Sequence, residues 1–138
     1  MPIHLHKNVK ASELTAKIVN QTFLAVKKNL RFSETFSVSV VLVGAKTMQE
    51  MNLKYRKVNA VTDVLSFPYN DEEGEVVICY QQAVKQAVEK QTPVIKELLW
   101  LLIHGILHLR GYDHETAIDA KVMRPLERKL LSQIYSND

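Results

Sequence analysis

The stretch LLWLLIHGILHLRGYDH, residues Leu98–His114, contains three of the five histidines in this 138-residue chain. Two of them, His104 and His108, are four residues apart within an apolar run. On an α-helix this spacing places both rings on one face, about 6 Å apart along the axis. Gly111 can leave the helix with a positive φ, so the turn after it can bring His114 beside the other two.

Three histidines in this arrangement are typical of a zinc site. Neutral imidazoles are good ligands for Zn²⁺, and three protein ligands leave a fourth position for water. A lone histidine on an apolar helix is usually a core residue, but three at this spacing with a glycine between them are hard to explain by packing. We therefore predict one zinc ion per chain, held by His104, His108 and His114.

The same spacing occurs in the long zincin signature H-E-x-x-H-x-x-G-x-x-H. In that signature the residue after the first histidine is the glutamate that acts as general base, whereas here it is Gly105. The missing carboxylate disfavours a metallopeptidase. A zinc-dependent hydrolase that acts on a substrate other than a peptide remains an alternative.

The composition is typical of one globular domain spanning residues 1–138, with 46% apolar and 24% charged residues. The single Cys79 excludes an internal disulfide and favours a cytoplasmic location; its apolar neighbours predict a buried strand residue. No secretory signal is visible at the N-terminus, and the apolar run 98–103 is too short to span a bilayer, so no membrane partner is expected. The net charge of +3 permits nucleic acid as a partner without requiring it.

The remainder of the chain predicts an α+β sandwich with a small mixed sheet of about four strands and about five helices. Strands are predicted at residues 3–6, 37–43, 61–67 and 75–79. Helices are predicted at residues 12–30, 47–55, 81–90 and 92–110, and after residue 114. The last two strands should form an antiparallel hairpin, and the first two can lie parallel because a helix separates them. The apolar 92–110 helix should be central, most buried, and the seat of the zinc site.

Local signals predict how these helices begin and what they bury. The start signals are Ser12 for the first helix, a Thr47–Glu50 capping box for the second and Pro93 for the fourth. The predicted buried residues are Val19, Phe23, Val26 and Leu30 in the first helix, Met48, Met51 and Tyr55 in the second, and Ala83, Val84, Ala87 and Val88 in the third. Pro125 predicts a kink or a restart of the last helix near Arg124.

The segment HGILHLRGYDH, residues 104–114, resembles the H-G-x-L-H-L-x-G-Y-D-H signature of the YbeY family, which are bacterial single-domain endoribonucleases and rRNA maturation factors. Further agreement lies at Asn52, Tyr55, Arg56 and residues 62–68 (TDVLSFP), and a weaker pattern at Met123 and Glu127. The chain departs from the family at Glu75, where aspartate is usual, and at Tyr80, where proline is usual.

The resemblance implies a single-strand-specific, zinc-dependent endoribonuclease that acts in late maturation of the 16S rRNA and in ribosome quality control. It implies zinc at His104, His108 and His114, and catalytic roles for His114 and for Arg56 as a basic residue in the substrate cleft. The implied partners are rRNA, the small ribosomal subunit and ribosome-associated proteins.

The chemistry of these residues is compatible with that activity. Water on a three-histidine zinc site can attack a phosphodiester or deprotonate a 2′-hydroxyl, while Arg56 offsets the developing charge. Without the resemblance, the residues alone favour a solvated cation at a helix end for Arg56. Asp113 is either a partner of a ligand or a turn former. A ribosome assembly factor with a structural zinc remains an alternative to both hydrolases.

Overall fold

The computed structural model describes residues 3–30, 35–111 and 117–135, which form a four-stranded sheet and five helices. In chain order the elements are β1 (Ile3–Lys7), α1 (Ala16–Leu30), β2 (Ser37–Val43), α2 (Ala45–Arg56), β3 (Val64–Pro68), β4 (Glu73–Cys79), α3 (Tyr80–Lys90), α4 (Val94–Leu109) and α5 (Ala117–Ile134). The predicted α+β architecture is confirmed.

The sheet is mixed, with the strand order β1-β2-β4-β3. β1 pairs with β2 and β2 with β4 in parallel, whereas β3 pairs with β4 in antiparallel orientation. Both predicted pairings are therefore confirmed. In β4 residues 76–79 form a continuous buried run, as expected where a strand is covered on both faces, whereas in β2 buried and less buried side chains alternate as far as Leu42. β3 lies at one edge, and this position matters for the site described below.

α4 is the central helix, as its sequence predicts. Ten of its sixteen residues are buried, and the eight Leu and Ile side chains among them share one core cluster with side chains of α1, β2, β4 and α5. Each buried Leu or Ile contributes about 1.5–3 kcal/mol through transfer from water, so this helix is fixed firmly in the fold. Among the described residues no single helix is long and apolar enough to cross a membrane, although α3 and α4, bent by 117° at their junction, reach that length and composition as a pair.

Three helices begin at other residues than the local signals predict. α1 starts after Thr15, not Ser12, because the Thr15 hydroxyl accepts the backbone N–H of Ile18 at 3.2 Å. α2 starts after Gly44 without a capping box, since the side chain of Gln81 accepts the N–H of Ala45 at 2.7 Å. Pro93 is the N-cap of α4 and not its first helical residue. In α2 the contact with Gln81 of α3 therefore takes the place of the predicted capping box.

Two predicted core residues are exposed, and the last helix does not restart at Pro125. Tyr55 is 56% exposed and Val88 is 72% exposed. In α2 the buried position is taken by Asn52, whose side-chain amide donates to the carbonyl of Ala60 at 2.9 Å. α5 runs through Pro125 without a restart, and fully buried side chains on both sides of the proline, Met123 and Leu130, hold the two halves against the core.

Candidate active site

His104 and His108 lie next to each other on α4. Their ring centroids are 4.5 Å apart and the ring planes are inclined by 46°. Both side chains are partly exposed, whereas residues 105–107 between them are buried. The structure therefore brings two of the three predicted zinc ligands together. His114 and Asp113 lie outside the described residues, and within residues 3–30, 35–111 and 117–135 no three His, Cys, Asp or Glu side chains are grouped closely enough to hold a metal.

A buried glutamate of α5 orients His104. The Glu127 carboxylate is 1% exposed, and its Oε2 lies 2.7 Å from Nδ1 of His104. A buried carboxylate at this distance accepts a hydrogen bond from Nδ1, which leaves Nε2 as the ring nitrogen available to a ligand. Histidines that bind metals usually donate their other ring N–H to a carboxylate or a carbonyl in this way.

The sequence does contain a pattern that marks Glu127 as unusual, although that pattern alone does not predict its contact with His104. Met123, Glu127 and Leu130 share one face of α5, and all three are buried. A carboxylate in an otherwise apolar stripe needs a buried partner, because an unpaired charge in the core is costly. The partner itself could not be chosen from the sequence, since it lies 23 residues away on another helix.

A cavity of about 600 Å³ opens beside the two histidines. It is lined by Tyr55, Arg56, residues 62–67, His104 and His108. Arg56 is the last residue of α2, where Lys57 ends the helix in the left-handed conformation with a φ of 62°. The structure therefore places the predicted cleft cation and the two histidines around one cavity, although 48 residues separate Arg56 from the first of them.

Edge strand β3 and the end of α2 form the rest of the wall of this cavity. The rings of Tyr55 and Phe67 meet edge to face, with centroids 5.1 Å apart. Asp63 accepts the backbone N–H of Val64 with its side chain and that of Cys79 with its carbonyl, both at 2.8 Å. These contacts fix the entry into β3. The cavity thus combines a cation, two imidazoles and aromatic surface, which are groups that can bind a phosphate and contact bases.

Gly105 explains why the zincin glutamate is absent. A Cβ at this position would lie 2.5 Å from Cγ1 of Val76 and 3.3 Å from Oγ of Ser66. The same Ser66 hydroxyl donates to the Gly105 carbonyl at 2.9 Å and fastens α4 to β3. The helix lies so close to the sheet that even a Cβ here would displace Val76, and the carboxylate base of a metallopeptidase has no room.

Cys79 is a core residue, as predicted. It is fully buried at the end of β4, and burial is the main reason why the pKa of its thiol is raised. A thiol that resists ionisation is a poor nucleophile. This excludes Cys79 from the chemistry of the cavity.

Comparison with known proteins agrees with this architecture. The chain matches the family described as Endoribonuclease YbeY over residues 3–135. An Endoribonuclease YbeY of Thermodesulfovibrio yellowstonii is 40% identical, with 93% of this chain and 77% of the relative covered, and one of Spiroplasma citri is 34% identical, with 86% and 83% covered. The solution structure of TM1509 from Thermotoga maritima is 32% identical, superposes with a TM-score of 0.71, and covers 96% of this chain and 88% of that one. This chain belongs to the Endoribonuclease YbeY family.

Proposed function

We propose that this chain is a zinc-dependent endoribonuclease that cleaves single-stranded RNA, and that it acts on the 16S rRNA during late maturation and quality control of the small ribosomal subunit in the cytoplasm. The observation that carries the proposal is the cavity shared by Arg56, His104 and His108. The name of the family supports the RNA-cleaving activity. We infer the rRNA substrate, the ribosomal partners and the cytoplasmic location from the resemblance of the 104–114 motif to the family signature.

The described part of the site fits a zinc ion. His104 is oriented by Glu127 as a metal-binding histidine is, and His108 stands beside it. His104, His108 and His114 would hold the metal. When bound, zinc supplies Lewis acidity to the cavity and activates water near neutral pH.

The chain's own side chains bind and orient the RNA. The Arg56 guanidinium presents a planar fork of donors that matches two oxygens of a phosphodiester. Because charge on those oxygens grows as the bond breaks, this contact is stronger in the transition state than with the bound substrate. Tyr55 and Phe67 offer ring surface to unstacked bases at the mouth of the cavity.

Replacing Arg56 tests this assignment. Arg56→Ala should reduce RNA cleavage by about 10²–10³ in kcat, as loss of a charge-stabilising donor does. Its free energy of unfolding should change by no more than about 0.5 kcal/mol, because Arg56 is exposed. Arg56→Lys should recover only part of the activity, since lysine lacks the planar fork.

The assay uses precursor small-subunit rRNA, with zinc content followed by elemental analysis. Equal activity of the wild type and both variants would remove Arg56 from the mechanism. A wild-type chain that cleaves no RNA, yet binds small-subunit particles only when loaded with zinc, would support the assembly-factor alternative.

Glu127→Gln tests the orientation of His104. The amide is similar in size but carries no charge to stabilise the Nδ1–H, so zinc affinity should fall by about 10- to 100-fold. Affinity is measured by competition with a chromophoric chelator. The matched control is Glu13→Gln, which removes a carboxylate that accepts the Tyr80 hydroxyl at 2.9 Å. Equal zinc affinity in the two variants would show that Glu127 does not act through His104.

A further inference from the structure

A second cavity, of about 450 Å³, shares His104 with the first. It is lined by Trp100, His104, Arg124, Glu127 and Arg128. His104 therefore forms part of the wall of two adjoining spaces, one beside Arg56 and the other beside the two arginines of α5. The larger cavity and the proposed chemistry do not use these arginines.

The second cavity is basic at its mouth. Arg124 and Arg128 are exposed and lie one helical turn apart, and the exposed Lys121 precedes them on the same face of α5. In the part of the chain that the structure describes, neither guanidinium has a hydrogen-bond or ion-pair partner. The nearby acidic group, Glu127, is buried and engaged with His104. Two like charges at this spacing repel each other, and an anion between them would offset that cost.

We propose that this cavity is a second binding site for the RNA backbone, in which Arg124 and Arg128 take phosphate groups of the strand that flanks the cleaved bond. The inference rests on the proposed function. A single strand that crosses His104 would touch Arg56 on one side and the arginine pair on the other. A guanidinium pair suits successive phosphates better than one small anion, because each fork binds two phosphate oxygens.

Trp100 makes occupancy of this cavity measurable. It is the one tryptophan of the chain. Its ring contacts the ammonium group of Lys90, 4.2 Å from the ring centroid, and the imidazole of His104, with centroids 5.4 Å apart. RNA that enters this cavity or contacts His104 changes the surroundings of this indole, so its fluorescence follows binding at this part of the surface, and the arginine variants separate the second cavity from the first.

The experiment titrates the full chain with a single-stranded RNA 20-mer at several salt concentrations and follows Trp100 fluorescence. Gel analysis after each titration verifies that the RNA is intact. The test variants are Arg124→Gln with Arg128→Gln, and Arg124→Lys with Arg128→Lys. The matched control, Lys46→Gln with Lys85→Gln, also removes two exposed helical charges, but from residues that line neither cavity.

The double glutamine variant should bind the 20-mer on the order of tenfold more weakly. Its plot of log affinity against log salt should lose a slope of about 1.4, the value for two phosphate contacts on a single strand. The double lysine variant should keep that slope but bind more weakly than the wild type. It retains both positive charges but lacks the planar guanidinium groups that donate paired hydrogen bonds to phosphate. The lysine control should stay within about twofold of the wild type, since remote surface charges are screened.

Cleavage of the same RNA separates this inference from the proposed function. The double glutamine variant should show a raised KM with an almost unchanged kcat, since it lacks only contacts remote from the cleaved bond. Wild-type affinity and salt slope in that variant, or an equal loss in the lysine control, would overturn the inference while leaving RNA cleavage standing. If the wild type cleaves nothing but its fluorescence response depends on the arginine pair, the binding site stands and the nuclease proposal fails.

Discussion

The His108→Ala variant is expected to cleave RNA at least about a thousandfold more slowly than the wild-type chain. Metal catalysis supplies several kcal/mol of transition-state stabilisation, and about 4 kcal/mol corresponds to three powers of ten in rate. The change removes a predicted zinc ligand and part of the wall of the Arg56 cavity. The fold should survive, because His108 is only partly buried and its apolar neighbours on α4 remain.

The measurements are kcat/KM on single-stranded RNA, zinc content by elemental analysis and the thermal unfolding curve. The matched control is His6→Ala, an exposed histidine on β1 that lines neither cavity. His6→Ala should retain activity and zinc. A folded His108→Ala protein with wild-type cleavage and one zinc per chain would refute the metal site as described.

Gly105→Glu is expected to prevent folding. Its Cβ would lie 2.5 Å from Cγ1 of the fully buried Val76, and a carboxylate placed in the same contact would be buried without a partner. Gly105→Ala tests the steric part alone. Alanine favours a helix over glycine by about 1 kcal/mol, but overpacking costs about 1–3 kcal/mol, so the alanine variant should be less stable by up to about 2 kcal/mol.

Denaturant unfolding measures both changes. The control is Gly44→Ala, where an added Cβ meets its nearest neighbour, Val9, at an ordinary 3.6 Å. This variant should change the free energy of unfolding by less than about 1 kcal/mol. A stable, soluble Gly105→Glu protein would show that α4 can move away from the sheet, and the steric reason for the missing zincin base would then be wrong.

Strong periodic signals made the main elements of the fold predictable. The run SVSVVLV predicted β2 with its observed bounds, and the apolar 98–109 segment predicted the central helix. The mispredicted details depended on contacts between distant parts of the chain. Gln81 supplies the acceptor at the start of α2, and Asn52 turns inward because the carbonyl of Ala60 accepts its amide hydrogen, which leaves Tyr55 in solvent. Propensity scales describe the preferences of single residues and therefore cannot predict contacts between residues that are distant in the sequence.

Some contacts of the site were predictable from local sequence patterns, and others were not. The spacing of His104 and His108 predicts their meeting, since four residues span one helical turn. The position of Arg56 at the same cavity follows from β3, which packs against α4 and whose Phe67 contacts Tyr55 of α2, and only the family resemblance suggested it. The hydrogen bond that His104 donates to Glu127 depends on how α5 docks, which no local pattern specifies.

That hydrogen bond ties ligand binding to the attachment of the last helix. A ligand that binds His104 in the orientation set by Glu127 favours the state in which α5 is docked, and docking of α5 in turn raises the affinity for that ligand by the same factor. By mass action, a ligand at 100 times its Kd stabilises the folded chain by about 2.7 kcal/mol. Depletion of the ligand would thus loosen the α5 surface that carries Arg124 and Arg128 as well as remove chemistry from the first cavity. Occupancy at His104 would in this way add to the resistance of α5 to local opening and proteolysis that the buried Met123 and Leu130 already provide.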